Sequence, residues 1–335
     1  MSGTIAFMRA LTSTHLGAGT GIGAIDLPIQ REKHTQWPMN QGGGMKGVFR
    51  DQARRALAEE LGTSVQQADS NSLLTCVFGP PVESAGEHAG ALAVSDARIL
   101  LFPVRSIKGV FALVTCPAVL ERFGEDCVLA GINRPSLPQH QPTMPENGRP
   151  SAYAPSQAEL FFPAPQDDQD GGYLAVLEDL SFKWEANTES PNNQVVVDLA
   201  NALAAYAPAA KDRLVIVPDD VFSYFVQFRT EVVTRNALDY EKKTVRKGAL
   251  FNEEFLPPET VLYSVLLVDR DHQTDGGKTA DDKPAESKGA NALLTKTKDW
   301  IHGRYLQFGG DASTGKGLCH VSFFGGTWTG SGGGD

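Results

Sequence analysis

Three things are scarce or missing in this chain, and each removes a class of function. Its four cysteines (Cys76, Cys116, Cys127, Cys319) never fall in a CxxC pair. Zinc-ribbon and dithiol chemistry are therefore excluded, and free thiols in a reducing cytoplasm are expected. No apolar run reaches the length of about 18 residues that a membrane helix needs. The opening MSGTIAFMRALTST lacks the basic head and long apolar core of a secretory leader, so no membrane partner and a cytoplasmic location are expected. Positive charge is in deficit: 30 Lys and Arg stand against 40 Asp and Glu, a net charge of −10. A protein that coats nucleic acid is usually basic. Composition alone speaks against that partner, unless one groove is locally basic.

What is present is an ordinary globular chain of 335 residues, 41% hydrophobic, long enough for a sizeable core. Residues 3–14 read as an opening strand, and a glycine loop follows with Gly17, Gly19, Gly21 and Gly23 at every second position. A second cluster, Gly42-Gly43-Gly44-Met45-Lys46-Gly47, opens a helix with the apolar face Val48, Ala53, Ala56, Leu57, Leu61 and a stop at Gly62. ARILLFPV (97–104) and GVFALVT (109–115) predict a buried strand pair, and strands are also expected over 194–199, 213–217, 222–233 and 260–268. Between Pro135 and Pro165 lie 8 prolines, which no regular element tolerates. That span reads as an insertion wrapping the surface. Residues 270–291 are poor in apolar side chains and read as a flexible loop, and 329–335 as a glycine-rich tail. No repeat of 20–50 residues is evident. Strands interrupted by a few helices suggest an α+β domain.

Several motifs could carry chemistry. Gly310–Lys316 fits GxxxxGK, but Gly317 stands where a P-loop needs a Ser or Thr hydroxyl, and the chain ends too soon for the sheet behind it. A nucleotide-dependent metabolic enzyme is thereby disfavoured; a turn whose Gly310 amide and Lys316 meet a phosphate backbone fits better. The glycines at 42–44 begin a helix, where free amides and the dipole favour an anion. Lys46 adds a charge there and Arg50 follows one turn later. Solvated basic residues beside a tight turn explain the same pattern. Asp26, at the end of the first glycine loop, suits a metal ligand or base for phosphodiester chemistry, and equally a turn-former before Leu27-Pro28. His15 lies upstream in the same loop. Lys242, Lys243, Arg246 and Lys247 sit in a hairpin-like run, 234–252, as a solvated edge or an RNA contact.

THLGAGTGIGAIDLPIQREKHT (Thr14–Thr35) followed by GGGMKGVFR resembles the RAMP-family backbone subunits of type III-B CRISPR effector complexes, the fourth subunit of the Cmr system. SDARILLFPVRSIKGVFALVTCP (Ser95–Pro117), KGALFNEEFLPPETVLYS (Lys247–Ser264) and LQFGGDASTGKGLCHV (Leu306–Val321) extend the resemblance over most of the chain. GGGMKG departs from it, since small Ser residues usually occupy that loop. The resemblance implies one RAMP-type domain over 1–335 with a modified RRM-like (ferredoxin-like) core, large insertions and a protruding β-hairpin thumb. It implies copies stacked along a guide crRNA with other Cmr subunits, and a target RNA kinked and cut at regular intervals. Asp26 falls on the residue required for cutting with a divalent metal ion (Mg2+ or Mn2+), and His15 shares its loop. Lys46 and Arg50 fall on positions that hold guide phosphates. Glu253 and Glu254 follow the hairpin run, and one of them could approach the scissile phosphate of a neighbouring site. The same scaffold without activity, holding guide RNA only, remains the alternative.

Overall fold

A computed structural model describes residues 1–21, 23–81, 84, 86, 88–155, 160–166, 172–184, 191–270, 289–325 and 328. From the N-terminus come β1 (Ser2–Ala10), β2 (Met39–Asn40), α1 (Gly42–Leu61), α2 (Val65–Asp69) and α3 (Ser72–Phe78). Then follow β3 (Leu92–Val94), β4 (Ala97–Arg105), β5 (Phe111–Thr115) and α4 (Pro117–Leu129). The middle of the chain holds four short strands, β6 (Ser151–Ala152), β7 (Phe162–Pro163), β8 (Tyr173–Leu177) and β9 (Leu180–Trp184). Next are α5 (Pro191–Leu203), α6 (Ala210–Arg213), β10 (Leu214–Ile216), α7 (Asp219–Phe228), β11 (Glu231–Leu238) and β12 (Val245–Phe255). The chain closes with β13 (Val261–Val268), α8 (Ala290–Ile301), β14 (Arg304–Gln307) and β15 (Leu318–Phe323).

β1 is buried continuously from Thr4 to Met8, the pattern of a central strand covered on both faces. It pairs antiparallel with β13 on one side and β15 on the other. The main sheet runs β10-β5-β4-β13-β1-β15-β14, with β2 on β4 and β3 on β13. β6-β9-β8-β7 form a second sheet, and β11 and β12 form a separate two-stranded hairpin. This is a mixed α+β architecture. The expected strand pair at 97–115 is β4 and β5, and 213–217 and 260–268 contain β10 and β13. All four cysteines are free and buried.

Other expectations need correction. The opening strand stops at Ala10 rather than 14. Residues 194–199 belong to helix α5: Val196, Leu199, Ala200 and Leu203 are all buried, a helical period that the β-branched run QVVVDL disguises. Residues 222–228 belong to helix α7, whose Val221, Phe222, Phe225 and Val226 face the core behind acidic Asp219 and Asp220 in the first turn. The strand begins only at Glu231. In α1 the core face is Met45, Phe49, Ala53, Ala56 and Leu57, whereas Leu61 is exposed. The proline-rich span does not merely wrap the surface. Ala152, Tyr153, Ala154, Leu160 and Phe161 enter the core, and Tyr153 exchanges two backbone hydrogen bonds with Ile216 of β10. Residues 271–288 of the expected loop and the tail 329–335 lie outside the described residues; Ala290 and Asn291 already begin α8.

Candidate functional site

After β1 the chain turns along the base of the β11–β12 hairpin. Thr14 and Leu256 exchange N–H···O=C bonds of 2.9 Å each. Further on, the Leu27 N–H donates to the Asn252 carbonyl and the Glu254 N–H to the Leu27 carbonyl, both at 3.0 Å. The glycine loop between these attachments is closed by a bridge of Gly17 with Ile29 and by the Gly21 N–H donating to the Asp26 carbonyl. Asp26 is thus brought to the hairpin's flank. Its side chain is exposed, and Oδ2 accepts the Asn252 N–H at 2.8 Å. Oδ1 has no partner among the described residues.

His15 reaches the same strand from the buried side. Its Nδ1 lies 2.7 Å from the Glu254 carbonyl. A carbonyl only accepts, so the proton sits on Nδ1, and Nε2 faces Glu253 Oε1 at 3.6 Å. Asn252, Glu253 and Glu254 therefore hold both Asp26 and His15. Arg235 of β11 places Nε 2.9 Å from Glu253 Oε2 and Nη2 2.5 Å from Asp311 Oδ2. Burial first, and then the Asp311 carboxylate, hold the Glu253 carboxyl above its ordinary range against the pull of His15 and Arg235. Glu254 is 2% exposed and fully engaged: Oε1 accepts from Arg31 at 2.5 Å and Thr230 at 2.7 Å, Oε2 from the Ile29 N–H at 3.0 Å. It is a structural bolt, not a free carboxylate.

The GxxxxGK turn joins this cluster. The Gly310 N–H donates to the His15 carbonyl at 3.0 Å. Gly309 has φ +75°, and a Cβ there would fall 1.9 Å from that carbonyl oxygen; only glycine fits. The Lys316 ammonium rests over the Phe255 ring, 4.9 Å from its centroid.

The second glycine cluster is arranged differently. The Gly42 N–H donates to Asp96 at 2.8 Å, so the chain's own carboxylate already meets this helix start. A Cβ on Gly42 would meet the Val94 carbonyl at 2.3 Å. Met45 is fully buried, so its side chain belongs to the core. Lys46 donates to the Leu92 carbonyl at 2.8 Å, and burial, then the charge of Arg50, pull its ammonium below the ordinary lysine value. Arg50 donates to the Gly79 and Pro80 carbonyls and pairs with Asp69 at 3.3 Å. Gly43 and Gly44 remain exposed, and nothing would obstruct a Cβ on Gly43. The two glycine clusters are joined by Gln30, whose side chain donates to the Gly17 carbonyl and accepts the Gln41 N–H.

Lys242 and Lys243 are exposed in the hairpin's end turn, where the Asp239 carboxylate accepts the Lys242 N–H and Lys243 stacks over Tyr240 at 4.2 Å. Asn252 and Val245 are seven residues apart along β12, so the turn stands more than about 20 Å from Asp26. It does not join the cluster. Sequence reasoning missed Asn252, Arg235, Asp311, Arg31 and Gln30. Arg235 and Asn252 lie in the run 234–252 considered for its lysines, Asp311 in the GxxxxGK turn, and Gln30 and Arg31 in the loop that carries the resemblance, but nothing in the sequence singles any of them out.

No group of three or more His, Cys, Asp or Glu that could hold a metal ion exists among the described residues. Asp26 offers one unpartnered oxygen, Glu254 is fully bonded and Glu253 is paired with Arg235. Among the described residues of this site, Asp26 is the carboxylate with an oxygen free for the expected divalent ion. No described helix is long and apolar enough to cross a membrane.

The profile of the RAMP superfamily matches residues 7–320. Over 316 residues, 94% of this chain and 93% of the relative, the sequence is 35% identical to the CRISPR system Cmr endoribonuclease Cmr4 of Pyrococcus furiosus. Among solved structures, oligomeric Cmr4 from Pyrococcus furiosus aligns with a TM-score of 0.61 at 28% identity, over 96% of this chain and 98% of that one. A chain of the type III-B Cmr-beta complex bound to cognate target RNA shares the fold, with a TM-score of 0.64 at 18% identity over 96% and 97%.

Proposed function

This chain belongs to the RAMP superfamily, and on that premise we propose that it coats the guide RNA of a cytoplasmic type III-B Cmr complex and cuts the bound target RNA at regular intervals. Copies of the chain would stack along the guide beside other Cmr subunits. The main sheet is read as a modified RRM-like core, and the β11–β12 hairpin as the thumb that wedges into the guide–target duplex. Base pairing supplies sequence specificity, so the protein reads backbone and shape. An acidic chain suffices for that, because contacts along one groove need few cations per subunit. Guide phosphates would pass the bare backbone at Gly43 and Gly44, with Lys46 exchanging its carbonyl for a phosphate oxygen.

One observation carries the cleavage reading: Asp26 is an exposed carboxylate pinned by the Asn252 N–H at the flank of the β11–β12 hairpin. A nucleotide displaced by the hairpin is freed from A-form stacking, and its 2′-oxygen can line up with the adjacent phosphorus and the departing 5′-oxygen. Asp26 accepts the 2′-hydroxyl proton as the 2′-O–P bond forms and the P–O5′ bond breaks; the 5′-oxygen takes a proton from water. His15, buried and locked to the Glu254 carbonyl, acts by holding the loop that carries Asp26. A Mg2+ or Mn2+ ion held by Asp26 would need RNA oxygens as its other ligands and would supply charge stabilisation at the phosphate.

The scaffold-only reading draws on the same hydrogen bond, since a loop-shaping Asp would also accept the Asn252 N–H. Asp26→Asn separates the two: an amide oxygen still accepts that bond, but the charge is gone. Cleavage of guide-complementary RNA by assembled complexes, normalised to bound guide and measured with and without EDTA, should fall at least about 10²-fold. Full activity in the Asn variant overturns the catalytic role.

A further inference from the structure

On the main sheet, Arg9 of β1, His320 of β15 and Tyr305 of β14 stand side by side in register. Two residues back along β1, the same face is covered. There Phe7 stacks on Tyr206 with 3.9 Å between ring centroids, and Tyr263, its partner on β13, meets Phe123 of α4 edge-on at 4.8 Å. That cover does not extend over Tyr305, which is 65% exposed on the strand at the sheet's edge. Its ring lies 5.2 Å from the His320 imidazole and is tilted 49° to it. Burial first, then the charges of Arg9 and His302, hold His320 below the ordinary histidine value, so near neutral pH its ring is an uncharged π surface. Arg9 closes the row, its guanidinium set by a 2.9 Å bond to Glu259. The turn between β14 and β15 carries Gly310 and Lys316 and packs on His15 and Phe255, so the strands that bear the row also bear part of the candidate site.

We propose that Tyr305, His320 and Arg9 form a stacking platform for unpaired bases of single-stranded RNA beside the Asp26 loop. The proposal rests on the RNA-coating reading and adds a binding surface to it. The exposed Tyr305 ring offers a face for a base to stack on, and the imidazole and guanidinium beside it add π and cationic surface, which suits any base and discriminates little among them. A second copy of the chain is the poorer occupant. The edge strand it would pair with is four residues long and begins with exposed Arg304, a short charged edge of the kind that resists strand addition.

The test is fluorescence anisotropy of labelled oligouridylate with the purified full chain, over a series of NaCl concentrations. Tyr305→Ala should weaken binding between about 5-fold and 150-fold, the range for one stacked base. Loss of stacking should leave the log–log salt slope unchanged, because no phosphate contact is removed. Tyr305→Phe should bind as the unmodified chain does. Normal affinity in Tyr305→Ala overturns the platform alone. So does an equal loss in Tyr305→Phe with a shallower slope, which would make the hydroxyl a phosphate contact. A smaller assembly in sedimentation with unchanged affinity per protomer assigns the surface to a second copy instead. If the unmodified chain binds no oligouridylate, both the platform and the RNA-coating reading fail.

Discussion

Glu254 is the residue on which the geometry of the Asp26 loop depends most, and its removal has a calculable effect. The carboxylate is 2% exposed and accepts from Arg31, Thr230 and the Ile29 N–H. Glu254→Ala leaves the buried Ile29 N–H without an acceptor and strips Arg31 of its counter-charge. Breaking a buried ion pair from one side costs about 3–5 kcal/mol. Arg31 keeps the Val226 and Gln36 carbonyls, so the lower end, about 3 kcal/mol, applies. At roughly 2 °C per kcal/mol for a large domain, Tm should fall by about 6 °C. Glu254→Gln retains acceptors for Arg31 and Thr230 but turns an NH2 toward the Ile29 N–H, so its loss should be about half as large, near 1–2 kcal/mol. Thermal unfolding by circular dichroism checks the order Ala worse than Gln. Cleavage per folded complex should also drop in both variants, since the Leu27–Glu254 attachment loosens. A Tm within about 1 °C of the unmodified chain for Glu254→Ala would refute the claim that this carboxylate bolts the loop to the hairpin, because about 0.5 kcal/mol is the effect of an ordinary surface change.

Three further outcomes are expected. Lys46→Ala should lower the log–log salt slope of guide binding by about one, the value of a single phosphate contact, because among the described residues a single carbonyl bond restrains that ammonium. Arg50→Ala should leave the slope unchanged and lower Tm, since the guanidinium ties α1 to Gly79, Pro80 and Asp69; filter binding across a salt series, run beside thermal melts, separates the two effects. Glu253 keeps its proton in the folded chain at pH values where the unfolded chain has released it. Folding therefore takes up a proton, and stability should decline as pH rises from about 4.3, the ordinary glutamate value, through the raised one. Glu253→Gln should flatten that decline in melts run from pH 4 to 8, and an unchanged profile would remove the raised carboxyl as its cause.

Local patterns in the sequence were enough for much of the frame. ARILLFPV and GVFALVT are apolar on both faces and fold as β4 and β5, and the stop at Gly62 marks the end of α1. The two runs misread as strands, QVVVDL and the segment from 222, are helices because their buried residues recur at helical spacing. β-Branched and aromatic side chains outweighed that spacing in a short window. Asp26 and His15 were also visible, as polar residues in a glycine-dense loop, and the resemblance to RAMP subunits assigned them roles.

Their surroundings were not visible. Asp26 meets Asn252 across 226 positions of sequence, and His15 meets Glu254 across 239. Which distant residues become neighbours is set by how β12 returns beside the loop that leaves β1, a matter of topology with no local signature. The same holds for Arg235, which only tertiary contact places between Glu253 and Asp311. For Lys46 and Arg50 the sequence established charge and helical spacing, but direction was decided by carbonyls at Leu92, Gly79 and Pro80. A long basic side chain is turned by whichever acceptor the fold brings within reach, and the residue itself does not encode which one that is.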